Sequence, residues 1–174
     1  MKEILTPDAT IRTLKRMTHE IIEKHETLDD LILVGIQKKG VPLAEKIAFF
    51  LHEFTGQTVP VFALDITPFR DDIKDKSLLK NDIETEGKRI ILIDDVLYTG
   101  RSVRAALDAL MIPGRPASIN LAILVDRGHR EIPIRPDFIG KNIPTSRHEN
   151  IIVNTESFSV FLDEWWFSGS SLAW

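Results

Sequence analysis

The sequence predicts one α/β domain, a parallel β-sheet with helices packed on both faces. Three observations carry that reading. Short, near-continuous apolar runs such as Leu31–Ile36 and Arg89–Asp94 read as strands buried on both faces. They alternate with stretches whose apolar residues recur at the helical period. The chain has 174 residues, the size of one domain that can bury about 70% of its unfolded surface without staples.

The elements follow in order. Ile11, Leu14, Thr18, Ile21 and Ile22 form one stripe between Thr6 and Glu26, with Thr6-Pro7 or Asp8 able to cap the start, so residues 1–28 hold an N-terminal helix. Leu31–Ile36 is a buried strand, Gln37–Gly40 a turn, and Leu43, Ala44, Ile47, Ala48 and Leu51 mark a second helix. Thr58–Asp65 reads as a strand. The polar stretch from Ile66 to Lys88 reads as a long loop or loose hairpin, a kind of segment that is usually functional. Arg89–Asp94 is the clearest strand, followed by a turn through Gly100 and a helix from about Ser102 to Met111, stopped by Pro113-Gly114. Ala117–Val125 is a fourth strand and Ile151–Val153 a short fifth. The Gly-, Pro- and Arg-rich segment 126–149 cannot be one regular element.

Composition limits the function classes. Cysteine is absent, which removes disulfides, thiolate metal sites and a cysteine nucleophile together. No apolar run is long enough to span a membrane and the start lacks a signal-peptide core, so the expected location is the cytoplasm, with no membrane partner. The net charge of −4 means that a polyanion has to be held by a local patch.

In parallel α/β sheets ligands bind beyond the carboxyl ends of the strands. There the chain reads Asp94-Asp95-Val96-Leu97-Tyr98-Thr99-Gly100-Arg101-Ser102 and opens directly into a helix. Two adjacent acids are costly unless sugar hydroxyls or a metal approach them. Thr99, Gly100 and Ser102 supply hydroxyls, backbone N–H groups and a bare glycine at a helix start, which is a phosphate cradle. Acids for a ribose followed by a cradle for its phosphate describe a ribose 5-phosphate site. Gly35–Gly40 matches G-x-x-x-x-G, but Val41-Pro42 stands where a P-loop needs Lys-Ser/Thr. No G-x-G-x-x-G follows a strand, and no metal-spaced histidine pair is present.

Ile90–Ser102, IILIDDVLYTGRS, resembles the phosphoribosyl pyrophosphate (PRPP) motif of type I phosphoribosyltransferases. LVGIQKKG, DITPFRDD and the long run LVDRGHREIPIRPDFIGKNIPTS from Leu124 to Ser146 resemble, in this order, the bifunctional pyrimidine operon attenuator/uracil phosphoribosyltransferase family. The likeness runs from about Ile11 to Val153. It implies a type I phosphoribosyltransferase fold with a hood at about 126–149, and an enzyme that makes UMP and pyrophosphate from uracil and PRPP. It implies that Asp94 and Asp95 hold the ribose hydroxyls, that Val96–Ser102 holds the 5-phosphate, and that Lys38, Lys39 and Gly40 cradle pyrophosphate. Arg70, Asp71 and Asp72 would begin a mobile loop; Arg127 would face the base, with Ile152 or Val153 nearby. Mg²⁺ is implied as a substrate-borne ion with no dedicated protein cage. Arg16, His19, His129, Arg130, Arg135 and Lys141 match RNA-contacting positions, which implies a leader hairpin of a pyrimidine-gene mRNA as partner and a homodimer or higher homo-oligomer.

Three departures stand out. Lys38 and Lys39 replace the usual Thr-Arg, which removes a bidentate donor. The loop after Asp72 is shorter than usual, and the tail 154–174, with Phe161, Trp165, Trp166 and Trp174, matches nothing in the family. Two other readings stay open: an RNA-binding attenuator with vestigial catalysis, and a phosphoribosyltransferase for a purine base. Arg130 and Arg135 could also simply pair with Asp126, Glu131 and Asp137.

Overall fold

Alternate residues of the central strands feed two different cores, which is why their sequences are apolar throughout. In a computed structural model, residues 1–71 and 81–164 are described. The strands are β1 (Lys2–Leu5), β2 (Leu31–Ile36), β3 (Val61–Leu64), β4 (Arg89–Leu97), β5 (Ser118–Asp126), β6 (Phe138–Asn142), β7 (Glu149–Asn154) and β8 (Ser159–Glu164). The helices are α1 (Pro7–Lys24), α2 (Gly40–Thr55) and α3 (Arg101–Leu110). A five-stranded sheet, parallel throughout, has the order β3-β2-β4-β5-β6. Leu31, Leu33, Ile91 and Ile93 point into one core with α1 and α2, while Ile32, Val34, Ile90 and Leu92 point into the other with α3.

The local signals behave as their chemistry requires. Thr6 caps α1, its hydroxyl accepting from the Ala9 N–H at 3.2 Å. Leu14, Met17, Thr18 and Ile21 are buried beneath it. α2 ends at Gly56, whose φ of 76° is the left-handed conformation that glycine adopts without strain. α1 lies close against β6 because Gly140 carries no side chain: a Cβ there would meet the Leu124 carbonyl and the Thr13 methyl.

Two expectations need correction. Ile151–Val153 does form a strand, β7, but it belongs to a separate antiparallel sheet of order β1-β8-β7. The fifth strand of the main sheet is β6, inside the segment read as irregular. Pro133, Pro136 and Pro144 bracket this strand, and only Phe138 and Gly140 in it are buried, so its pattern is too short to register against the breakers. Of the tail, Ser159–Glu164 is the central strand of the small sheet, with Ser159 and Val160 buried; Trp165, Trp166 and Trp174 lie outside the described residues, as does Asp72.

Candidate functional site

The carboxyl ends of β2, β3 and β4 open into one cleft of about 680 Å³. Asp94, Asp95 and all of Val96–Ser102 line it, together with Lys38, Lys39, Arg70 and Asp71. Segments that are distant in sequence therefore meet in one place. Gly40 does not line the cleft. It is buried where α2 starts, and a Cβ on it would overlap the Ile93 carbonyl, so its role is to let the turn pass close to β4. The turn before it contains a cis peptide between Gln37 and Lys38.

The acid pair lies within β4 and not beyond it, because the strand continues to Leu97 and pairs with β5 as far as Asp126. Asp94 faces the cleft but is ringed by protein on its other sides. Burial, and after it the neighbouring Asp95, pushes its carboxyl well above the usual carboxylate range. Its Oδ1 accepts from the Asp95 N–H at 2.9 Å. Asp65 at the end of β3 behaves oppositely: hydrogen bonds from the Thr67 backbone and hydroxyl hold its carboxyl below the usual range. Asp65 lines the cleft too and was not singled out from the sequence. The signal was its position at a strand's carboxyl end, the same rule that marked Asp94.

Gly100 is the cap residue of α3, with φ of 92°, and it offers no side chain to the helix. Ser102 and Val103 line the cleft just inside that helix start, so first-turn N–H dipoles and the macrodipole are open to an anion there. Lys38, Lys39 and the preceding Gln37 are exposed along the opposite wall. The arrangement can bind a polyanion at two places with two carboxylates between them.

The hood is fastened to this loop. The Arg127 N–H donates to the Leu97 carbonyl at 3.1 Å, and the Glu131 N–H donates to the Thr99 carbonyl at 2.9 Å. The Arg127 side chain is 6% exposed and turns into the hood instead of the cleft. Its Nε donates to Thr145 Oγ1 at 2.9 Å, Nη1 to Asn150 Oδ1 at 3.2 Å, and Nη2 to the Glu149 and Ser146 carbonyls. The guanidinium also stacks 4.1 Å from the Tyr98 ring centroid. Ile152 and Val153 lie on β7 and are not among the cleft-lining residues; Val153 is in the core under α1.

The six positions matched to RNA contacts are divided. Arg16 and Lys141 line a second depression between α1 and β6, with Arg12 beside them. Arg16 is also held by Glu20 at 2.7 Å and by the Gly140 carbonyl. His19 points the other way and stacks on Phe54 at 4.3 Å. His129 has φ of 67° and contacts the Thr145 carbonyl, while Arg130 pairs with Asp126. Arg135 is exposed. Of the internal pairings considered for the hood arginines, the Arg130–Asp126 pair is present. Among the described residues no helix is long and apolar enough to cross a membrane.

Comparison with known proteins shows the family and the fold. The family model described as phosphoribosyl transferase domain matches residues 1–158. A protein from Acetivibrio thermocellus named Bifunctional protein PyrR is 50% identical, with 91% of this chain and 88% of the relative covered. One of the same name from Ligilactobacillus salivarius is 54% identical, covering 87% of this chain and 90% of the relative. Among solved structures, a hypoxanthine phosphoribosyltransferase of Trypanosoma cruzi superposes with a TM-score of 0.76 over 94% of this chain and 97% of that chain; at 16% identity this likeness concerns the fold alone. The chain belongs to the phosphoribosyl transferase family and, within it, to the bifunctional PyrR proteins.

Proposed function

We propose that this phosphoribosyltransferase converts uracil and PRPP to UMP and pyrophosphate, and that it also binds a structured leader RNA of pyrimidine genes. The observation that supports the catalytic reading is the single cleft that gathers Asp94-Asp95, the 96–102 loop and the Lys38-Lys39 turn. In this reading the open start of α3 holds the 5-phosphate and the acid pair receives the ribose hydroxyls. The two lysines face the pyrophosphate as point charges, without the fork an arginine would bring.

As the C1–O bond to pyrophosphate lengthens, positive charge grows on the ribose and negative charge on the leaving group. Carboxylates beside the first and cations beside the second stabilise that separation. Positioning does the rest, since the uracil nitrogen has to meet C1 from the face opposite the departing oxygen and, as the C–N bond forms, give up its proton to the departing pyrophosphate or to water. No side chain has to form a covalent bond.

Mg²⁺ fits the donor chemistry, because Asp94, Asp95 and Asp65 present carboxylate oxygens to the cleft and Mg²⁺ favours oxygen. Among the described residues no group of three or more His, Cys, Asp and Glu could cage a metal, so substrate oxygens would complete its shell. When bound, it neutralises the leaving group.

The deciding experiment is pyrophosphate release with Mg²⁺, PRPP and a panel of five bases. Uracil should be turned over and purines hardly at all; turnover of hypoxanthine or guanine with none of uracil overturns the reading.

The RNA function is supported by the convergence of Arg12, Arg16 and Lys141 on one depression, which a homodimer would double. Lys141 is the cleanest probe, being exposed, whereas Arg16 also ties α1 to β6. In a filter-binding titration with a pyrimidine-leader hairpin, Lys141→Gln should weaken binding and reduce the salt slope by about one unit. Affinity that ignores both salt and Lys141 would leave only the enzyme.

A further inference from the structure

Arg101, the first residue of α3, is where three separate segments meet. Its Nη1 donates to Asp71 Oδ2 at 2.6 Å, in the segment that follows β3. Its Nε and Nη2 each lie 3.2 Å from Glu131 Oε2 in the hood. These partners differ in what they would lose if Arg101 moved. Asp71 has a second cation, Arg104, whose Nη1 donates to Oδ1 at 2.6 Å. Among the described residues Glu131 pairs with no other cation, and its contacts to Arg101 are the longer ones.

The guanidinium is about half exposed, at 51%, so its ion pairs are exchangeable and not locked by burial. It also stands at the helix start that lines the cleft, where Gly100 brings no side-chain cap. A phosphate dianion arriving there is a stronger partner for a guanidinium than a single carboxylate oxygen at 3.2 Å.

We propose that Glu131 is a positioning residue that competes with a bound 5-phosphate for Arg101, so that phosphate occupancy of the 96–102 loop and attachment of the hood are linked through one guanidinium. This rests on the reading that the loop takes a 5-phosphate. Arg104 still holds Asp71 during the exchange, whereas Glu131 is left without a cation, so the larger cost falls on the hood side. Linkage requires the effect to be reciprocal.

The test compares wild type and Glu131→Gln in calorimetric titrations with UMP, uridine and pyrophosphate, alongside hydrogen exchange of the hood. Glu131→Gln should bind UMP roughly two- to fivefold more tightly, the range that exposed ion pairs span. Uridine, which carries no phosphate, should bind both proteins equally, and pyrophosphate should discriminate between them less than UMP does, because it can also sit at the Lys38-Lys39 turn. Exchange at residues 129–134 should respond to UMP in the wild type and respond less than about half as much in the variant. Equal UMP affinities overturn the proposal, as does an equal exchange response in the two proteins. A shift shared by all three ligands would mean a merely structural role and overturns it too. If neither protein binds UMP, the phosphate-loop reading itself falls, a result distinct from the others.

Discussion

Asp94→Asn is expected to weaken PRPP binding by about 10- to 100-fold while making the ligand-free protein more stable near neutral pH. A carboxylate that accepts from ribose hydroxyls makes charge-assisted hydrogen bonds, which are stronger than those an amide oxygen can offer. In the free protein the same carboxyl is a liability, pushed well above the usual range by burial and then by Asp95. The sign follows from linkage. A group that holds its proton more tightly folded than unfolded loses stability as pH rises from about 4, the ordinary carboxylate value, through its raised folded value. Asparagine carries no such cost, so the variant's melting temperature should be flatter with pH and higher at its upper end. Asp95→Asn removes the second cause of the shift and should move the Asp94 titration downward. Thermal melts across pH, paired with PRPP titrations, read both effects. Unchanged PRPP affinity in Asp94→Asn would remove the ribose assignment, and a lower melting temperature would remove the account of strain.

Arg127→Ala is expected to cost about 3 kcal/mol of stability, or roughly 6–12 °C in melting temperature for a chain of this size. The loss has two sources: the acceptors on Thr145, Asn150 and Glu149 are left unpaired, and Tyr98 loses its stacking partner. Arg127→Lys should recover only part of it, because an ammonium cannot reach several acceptors in one plane. Denaturant unfolding measures the cost. A variant of wild-type stability whose only defect is a raised KM for the base would return Arg127 to the base-facing role that the resemblance implies.

How far the sequence was legible depended on how local each signal is. β2, β4 and β5 carry apolar runs that only a doubly covered strand explains, and α1 has both its stripe and its Thr6 cap within a few residues. The cleft was legible because its acids and its glycine sit consecutively on β4 and its turn. β6 and β8 were not. Each is five or six residues long, and each is a strand only because of what it pairs with: β6 with β5, and β8 with two partners from opposite ends of the sequence. Arg127 shows a further limit. Its residue type and its place beside the site fit a ligand contact equally well, and only the positions of Thr145, Asn150 and Glu149 around it reveal the hood it holds together.

The pairing of β1 with β8 sets an order of events during synthesis. Lys2 lies opposite Leu162, so β1 has no partner until nearly all of the described chain has followed it. The parallel sheet from β2 to β6 hydrogen-bonds to neither strand, so its ladder can assemble while β1 waits. Closing so long a loop is entropically costly but grows only slowly with length, so the small sheet is expected to consolidate last and open first. A released chain that ends before Ser159 should therefore already protect the amides of β2, β4 and β5 while β1 and β7 still exchange freely, with the nucleotide cleft formed before β1 is secured.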